Sequence, residues 1–125
     1  MKILLKDILE NAEALSNLLK QNMPVQLAYR LSKLSKAIND ELKHFEEQRN
    51  KLIIKYGKEI DGNYQIDPED KEAVKNYIND LNKLAEVEIE IAYKPIKIDQ
   101  LGSELKISPN DLAKLSVFFE EDEQN

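Results

Sequence analysis

The strongest constraint on this chain is a single heptad-patterned stretch that opens at Pro24 and closes at Gly57. Ala28, Leu31, Ser35, Ile38, Leu42, Phe45, Arg49, Leu52 and Tyr56 follow alternating steps of three and four. That spacing holds one seam of an α-helix toward a partner helix. Leu27 and Leu34 widen the seam near its start. Pro24 suits the first helical position, where the missing N–H costs nothing. Gly57 suits the left-handed residue that follows a helix end. At about 1.5 Å per residue the helix spans roughly 50 Å, more than its short flanks can cover.

The remaining elements are read against that helix. Lys2 to Leu5 is a short apolar run, a strand or the lead-in to a helix. Asp7 to Gln21 is a first helix, with Ile8, Leu9, Ala12, Leu15, Leu18 and Leu19 at helical spacing. Asp61-Gly62 between Ile60 and Tyr64-Ile66 signals a tight turn or small hairpin. Asp67 as N-cap and Pro68 after it start a third helix, Pro68 to Glu86, whose seam is Val74, Tyr77, Leu81 and Leu84. This helix is expected to run antiparallel to the second half of the long one. Val87, Ile89 and Ile91 then alternate with Glu88 and Glu90, as in a strand buried on one side. The strand region Val87 to Ile98 is interrupted by Pro95. Leu105 and Ile107 suggest a further short strand. Ser108-Pro109-Asn110-Asp111 caps a C-terminal helix carrying Leu112, Leu115, Phe118 and Phe119.

The expected architecture is therefore mainly α with a small β element (α+β). One domain covers residues 1–119, and an acidic solvated tail covers 120–125. The 42% hydrophobic residues supply a modest core, and the 34% charged residues fit exposed helix faces.

Charge is distributed unevenly. Residues 1–58 carry 11 Lys or Arg against 7 Asp or Glu; residues 59–125 carry 7 against 17. The halves either neutralise each other in the fold or offer faces of opposite sign to partners. The chain has no cysteine, which removes disulfides and thiolate chemistry. The first residues are too short an apolar run for a signal peptide, and no stretch is long enough to span a membrane, so the cytoplasm is the expected compartment.

Catalytic patterns are absent from the sequence. His44 stands alone, whereas a HExxH zinc site needs two histidines one turn apart. There is no G-x-S-x-G turn and no glycine-rich phosphate loop. Asp61, Asn63 and Asp67 lack calcium-loop spacing. Glu86, Glu88 and Glu90 at alternate positions can hold a divalent ion or form a solvated sheet face; nothing beside them forms a substrate pocket. Arg49 in the seam calls for a carboxylate partner, from the third helix, or for a snorkelling stem. Arg30, Lys33 and Lys36 form a short basic strip, but the sequence pI of about 4.9 argues against nucleic acid. No catalytic, cofactor or metal residues are assigned, and the chain is not expected to be an enzyme.

Two blocks, AYRLSKLSKAINDELKHFEEQRNKLIIKYG with the following DGNYQI, and PIKIDQLGSELKISPNDLAKLSVFF, resemble an uncharacterised family of small phage and prophage proteins. The KYG, DGNY and I-S-P-x-D-L runs are the less generic parts. The resemblance implies a phage or prophage origin, in the host cytoplasm or associated with the virion. It carries over no functional residues. The expected function is a non-enzymatic interaction protein contacting a viral or host protein, or a second copy of itself, through helix faces. The alternative is an inhibitor of a host defence or regulatory protein that uses the acidic half. The expected contact residues are Val25, Leu27, Tyr29, Arg30 and Leu34 on the long helix, and Glu88 and Glu90 on the acidic strand.

Overall fold

The computed structural model describes residues 1–102 and 104–120. The elements in chain order are β1 (Lys2–Leu4), α1 (Leu5–Leu19), α2 (Val25–Tyr56), β2 (Lys58–Ile60), β3 (Asn63–Gln65), α3 (Lys71–Ala85), β4 (Glu88–Glu90), β5 (Ile96–Lys97), α4 (Pro109–Leu115) and β6 (Phe119–Glu120). A 3-10 turn follows β5 at Ile98–Leu101, and another joins α4 to β6 at Ser116–Phe118. The fold is mainly α with small two-stranded sheets, as the sequence predicts.

The 32-residue helix α2 is the spine, and α1 packs along its first half. Ile8, Ala14, Leu15 and Leu18 of α1 meet Leu27, Leu31, Leu34 and Ile38 of α2 in one core. Burying each large aliphatic side chain contributes about 1.5–3 kcal/mol. That term explains how the expected seam is rotated. Leu27 and Leu34 go inward, while the smaller Ala28 and Ser35 remain half-buried at its edge.

The short end segments complete this base. β1 pairs antiparallel with β4 in the register Lys2↔Glu90, Ile3↔Ile89 and Leu4↔Glu88. Leu4 places no side-chain cap on α1, so the helix starts directly from the strand. The orphan N–H of Leu5 is satisfied instead by the Val87 carbonyl, 2.9 Å away. α1 thus begins at Leu5 rather than Asp7. α4 lies against α1, and its N-cap Ser108 Oγ accepts from the Asp111 N–H at 3.1 Å, as expected. Leu115, Phe118, Phe119 and Ile96 are buried beneath it, with β5 and β6 paired in parallel.

The second half of α2 is built differently. The fully buried positions of α2 all lie between Leu27 and Ile38. Beyond them α2 and α3 form an arm whose seam residues Phe45, Leu52, Tyr56, Val74, Tyr77, Leu81 and Leu84 are half-buried. The Tyr56 hydroxyl donates to Asp80 Oδ2 at 2.5 Å across the pair. The hairpin β2–β3 closes the arm through Asp61 at φ 51° and Gly62 at φ 85°. Two positive φ values in a two-residue loop are the type I′ arrangement that Asp-Gly favours.

Several expectations are corrected. Gly57 is extended, with φ −92° and ψ 179°, so it is not a left-handed cap. Its small size serves close approach: a Cβ there would lie 2.7 Å from the Gln65 carbonyl oxygen. α3 begins at Lys71 and not Pro68, because Asp70 rather than Asp67 caps it, accepting from the Ala73 N–H at 3.1 Å. Asp67 is held by Lys58 Nζ at 2.9 Å and by the Glu69 N–H at 3.0 Å. Val87 is 45% exposed and outside the strand, although Ile89 and Ile91 do turn inward. Leu105 and Ile107 form no strand. Their loop is tied to Gln21, whose Oε1 accepts from the Lys106 N–H at 2.9 Å. Glu120 belongs to β6 rather than to a free tail, and the rest of the expected tail, 121–125, lies outside the described residues.

Candidate functional site

The seven residues expected to contact a partner divide into four groups. Leu27 and Leu34 are 8% and 0% exposed. They belong to the core facing α1, so they are withdrawn as contact residues. Val25 and Tyr29, one turn apart, are 81% and 62% exposed. Arg30 is half-buried and donates from Nη2 to the Lys94 carbonyl at 3.2 Å, which ties the start of α2 to the loop before β5.

Adjacent in sequence to Val25 and Tyr29, though lined by neither, is a concave surface. Leu19, Gln21, Asn22 and Met23 at the end of α1 face Ala28, Ser32 and Ser35 of α2 across a groove of about 430 Å³. The Ser32 hydroxyl donates back to the Tyr29 carbonyl at 2.8 Å. Lys33 Nζ lies 4.9 Å from the centre of the Tyr29 ring. A cation over an aromatic face orients the ring without covering its edge. Val25 and Tyr29 thus form an exposed apolar pair with one positive charge beside it.

Glu88 and Glu90 are exposed on β4, but they look across the ladder at positive groups. Glu90 Oε1 lies 3.5 Å from the Met1 amino nitrogen, and Glu88 Oε1 lies 3.9 Å from Lys2 Nζ. The exposed Lys2–Glu88 pair contributes little to stability, about 0–1 kcal/mol. Glu86 ends α3 and is not on the strand, so the three alternating carboxylates do not share a sheet face.

A second concave surface escaped the sequence reading. Gln48, Lys51, Leu52 and Lys55 of α2 face Asp80, Lys83 and Leu84 of α3 across a groove of about 320 Å³. The three-and-four spacing places Leu52 and Leu84 in the α2 and α3 seams. The signal for an open one was the lysine pair Lys51 and Lys55, one turn apart beside Leu52. Arg49, on the neighbouring face, has Glu46 of its own helix at 3.9 Å in place of a carboxylate from α3. Its Nε has no hydrogen-bond partner among the described residues.

Comparison with family models, characterised proteins and solved structures yields no match to this chain. No helix among the described residues is long and apolar enough to cross a membrane.

Proposed function

We propose that the protein is a non-enzymatic interaction protein of phage or prophage origin, acting on a viral or host protein through a helix face at the start of α2. The observation that supports this reading is the exposure of Val25 and Tyr29 beside the groove lined by Met23, Ala28 and Ser32. An exposed apolar pair of this kind, next to a shallow groove, suits a partner that buries one or two anchoring side chains. The opposite face of the same turns is held in the core by Leu27, Leu31 and Leu34, so the exposed face is presented on a rigid element.

The test compares the native chain with Val25→Asp/Tyr29→Ala as bait in extract from phage-infected cells, read by mass spectrometry. Both substituted positions are exposed, so the variant should melt as the native chain does. A protein captured by the native chain and lost with the variant is the expected result. Identical capture by both, or a strict monomer that captures nothing, would overturn the reading.

A further inference from the structure

We propose that the groove on the arm, between the second half of α2 and α3, is a docking site for an acidic amphipathic helix. The first argument is shape. Gln48, Lys51, Leu52 and Lys55 are spaced i, i+3, i+4 and i+7, and Asp80, Lys83 and Leu84 are spaced i, i+3 and i+4. Each set therefore forms one stripe of its helix. Two adjoining stripes leave a trough that a third helix fills in a three-helix arrangement. Among the described residues the arm has no such third layer. In the base α1 lies on α2 and α4 backs α1, and Leu27, Leu31, Leu34 and Ile38 of α2 are buried there.

The second argument is charge. Leu52 and Leu84 supply the apolar floor, and Lys51, Lys55 and Lys83 stand around it. Among the described residues none of these lysines has a carboxylate within ion-pair distance. The one acid in the groove, Asp80, accepts the Tyr56 hydroxyl. Lys55 Nζ lies 5.0 Å from the Tyr56 ring centre, so its stem runs along the helix surface. An apolar floor whose rim sets three lysines against the single Asp80 carboxylate fits a ligand with apolar side chains on one face and Asp or Glu flanking them. Nucleic acid fits less well. It would leave the leucine floor unused.

The test uses fluorescence anisotropy with a labelled synthetic peptide of about 18 residues, long enough for a helix to cover the groove. The peptide carries Leu at i, i+3, i+4 and i+7 spacing and Glu elsewhere on its polar face. Control peptides replace Glu by Lys, or Leu by Ser, and a single-stranded DNA oligonucleotide serves as competitor. The acidic amphipathic peptide should bind saturably and at least about tenfold more tightly than either control. The triple variant Lys51→Glu/Lys55→Glu/Lys83→Glu should weaken it about tenfold or more, and the milder Lys51→Gln/Lys55→Gln variant should weaken it by less. Both should keep the native melting curve, since all three side chains are exposed. Absence of saturation by about 1 mM, equal binding of the controls, unchanged binding by the triple variant, or displacement by the oligonucleotide would each overturn the proposal. The site shares no residue with the Val25–Tyr29 face. Peptide binding should survive Val25→Asp/Tyr29→Ala, so failure at one face is distinguishable from failure at the other.

Discussion

The Leu5 N–H donates to the Val87 carbonyl at 2.9 Å, joining the start of α1 to the chain just beyond α3. α1 and α3 therefore meet near the middle of the spine, one on each half of α2. First-turn helix amides ordinarily exchange with solvent quickly, because they have no intrahelical acceptor. The Leu5 amide should exchange at least about tenfold more slowly than that of Lys6, which lies in the same turn but is exposed. Residue-resolved hydrogen exchange by NMR reads this directly. Equal rates would mean that the junction opens freely.

Leu31 is fully buried in the base, whereas Leu52 is only half-buried in the arm. Leu31→Ala should cost about 2–5 kcal/mol, from lost transfer energy and an unfilled cavity. Leu52→Ala should cost about 1 kcal/mol, because its side chain already meets water. Urea melts of the two variants should separate them clearly. Equal losses would show that the arm is as tightly packed as the base.

Gly57 is replaceable only if main chain moves. An added Cβ would press on the Ile53 carbonyl oxygen and lie 2.7 Å from that of Gln65, and neither atom belongs to a side chain that can rotate away. Gly57→Ala should therefore cost about 1–3 kcal/mol. Gly62→Ala meets no neighbour but forces a positive φ on alanine, at about 1–2 kcal/mol. Thermal melts of the two variants, with the hairpin resonances followed by NMR, distinguish a packing defect from a turn defect.

The Lys58–Asp67 pair gives the arm a pH dependence. The hydrogen bond from Lys58 is the main cause holding the Asp67 carboxyl below its ordinary value of 3.8, and the Glu69 N–H acts in the same direction. A depressed carboxyl stabilises the fold above its unfolded value, and that contribution is lost as pH falls through the folded one. The native chain should therefore lose stability on acidification below about pH 4 by more than Asp67→Asn does. Tyr93 acts at the other end of the scale. Burial raises its hydroxyl above 10.0, so its contribution is complete below that value and declines as pH rises further. Tyr93→Phe should flatten the alkaline limb of the stability curve.

Much of this architecture is legible in local sequence signals. Asp61-Gly62, Ser108-Pro109 and the helical spacing from Leu27 to Tyr56 each have a short-range cause, and each appears where the pattern places it. What escapes is decided by distant neighbours. Asp67 and Asp70 are equally good caps by type, and the choice falls to Lys58 across the hairpin, which engages Asp67. Leu27 and Leu34 lie beside the nominal seam and become core because α1 arrives on their side. The loop at Lys106 is fixed by Gln21, a residue with no pattern around it. The same limit applies to candidate surfaces. The exposure of Val25 and Tyr29 follows from their spacing opposite Leu27 and Leu34, whereas the arm groove depends on whether a third helix arrives at Leu52 and Leu84.

The β1–β4 ladder also sets an order of events. Lys2 precedes α1 in the chain, yet its ladder partner Glu90 follows α3. The α1–α2 pair needs only the short connection through Pro24 and can form early. The ladder requires a much larger loop to close, and loop-closure entropy delays such contacts. Refolding should thus be limited by docking of the Glu88–Glu90 segment onto Lys2–Leu4. Until then the start of α1 lacks the carbonyl that satisfies it, and the arm is hinged to the base by α2 alone.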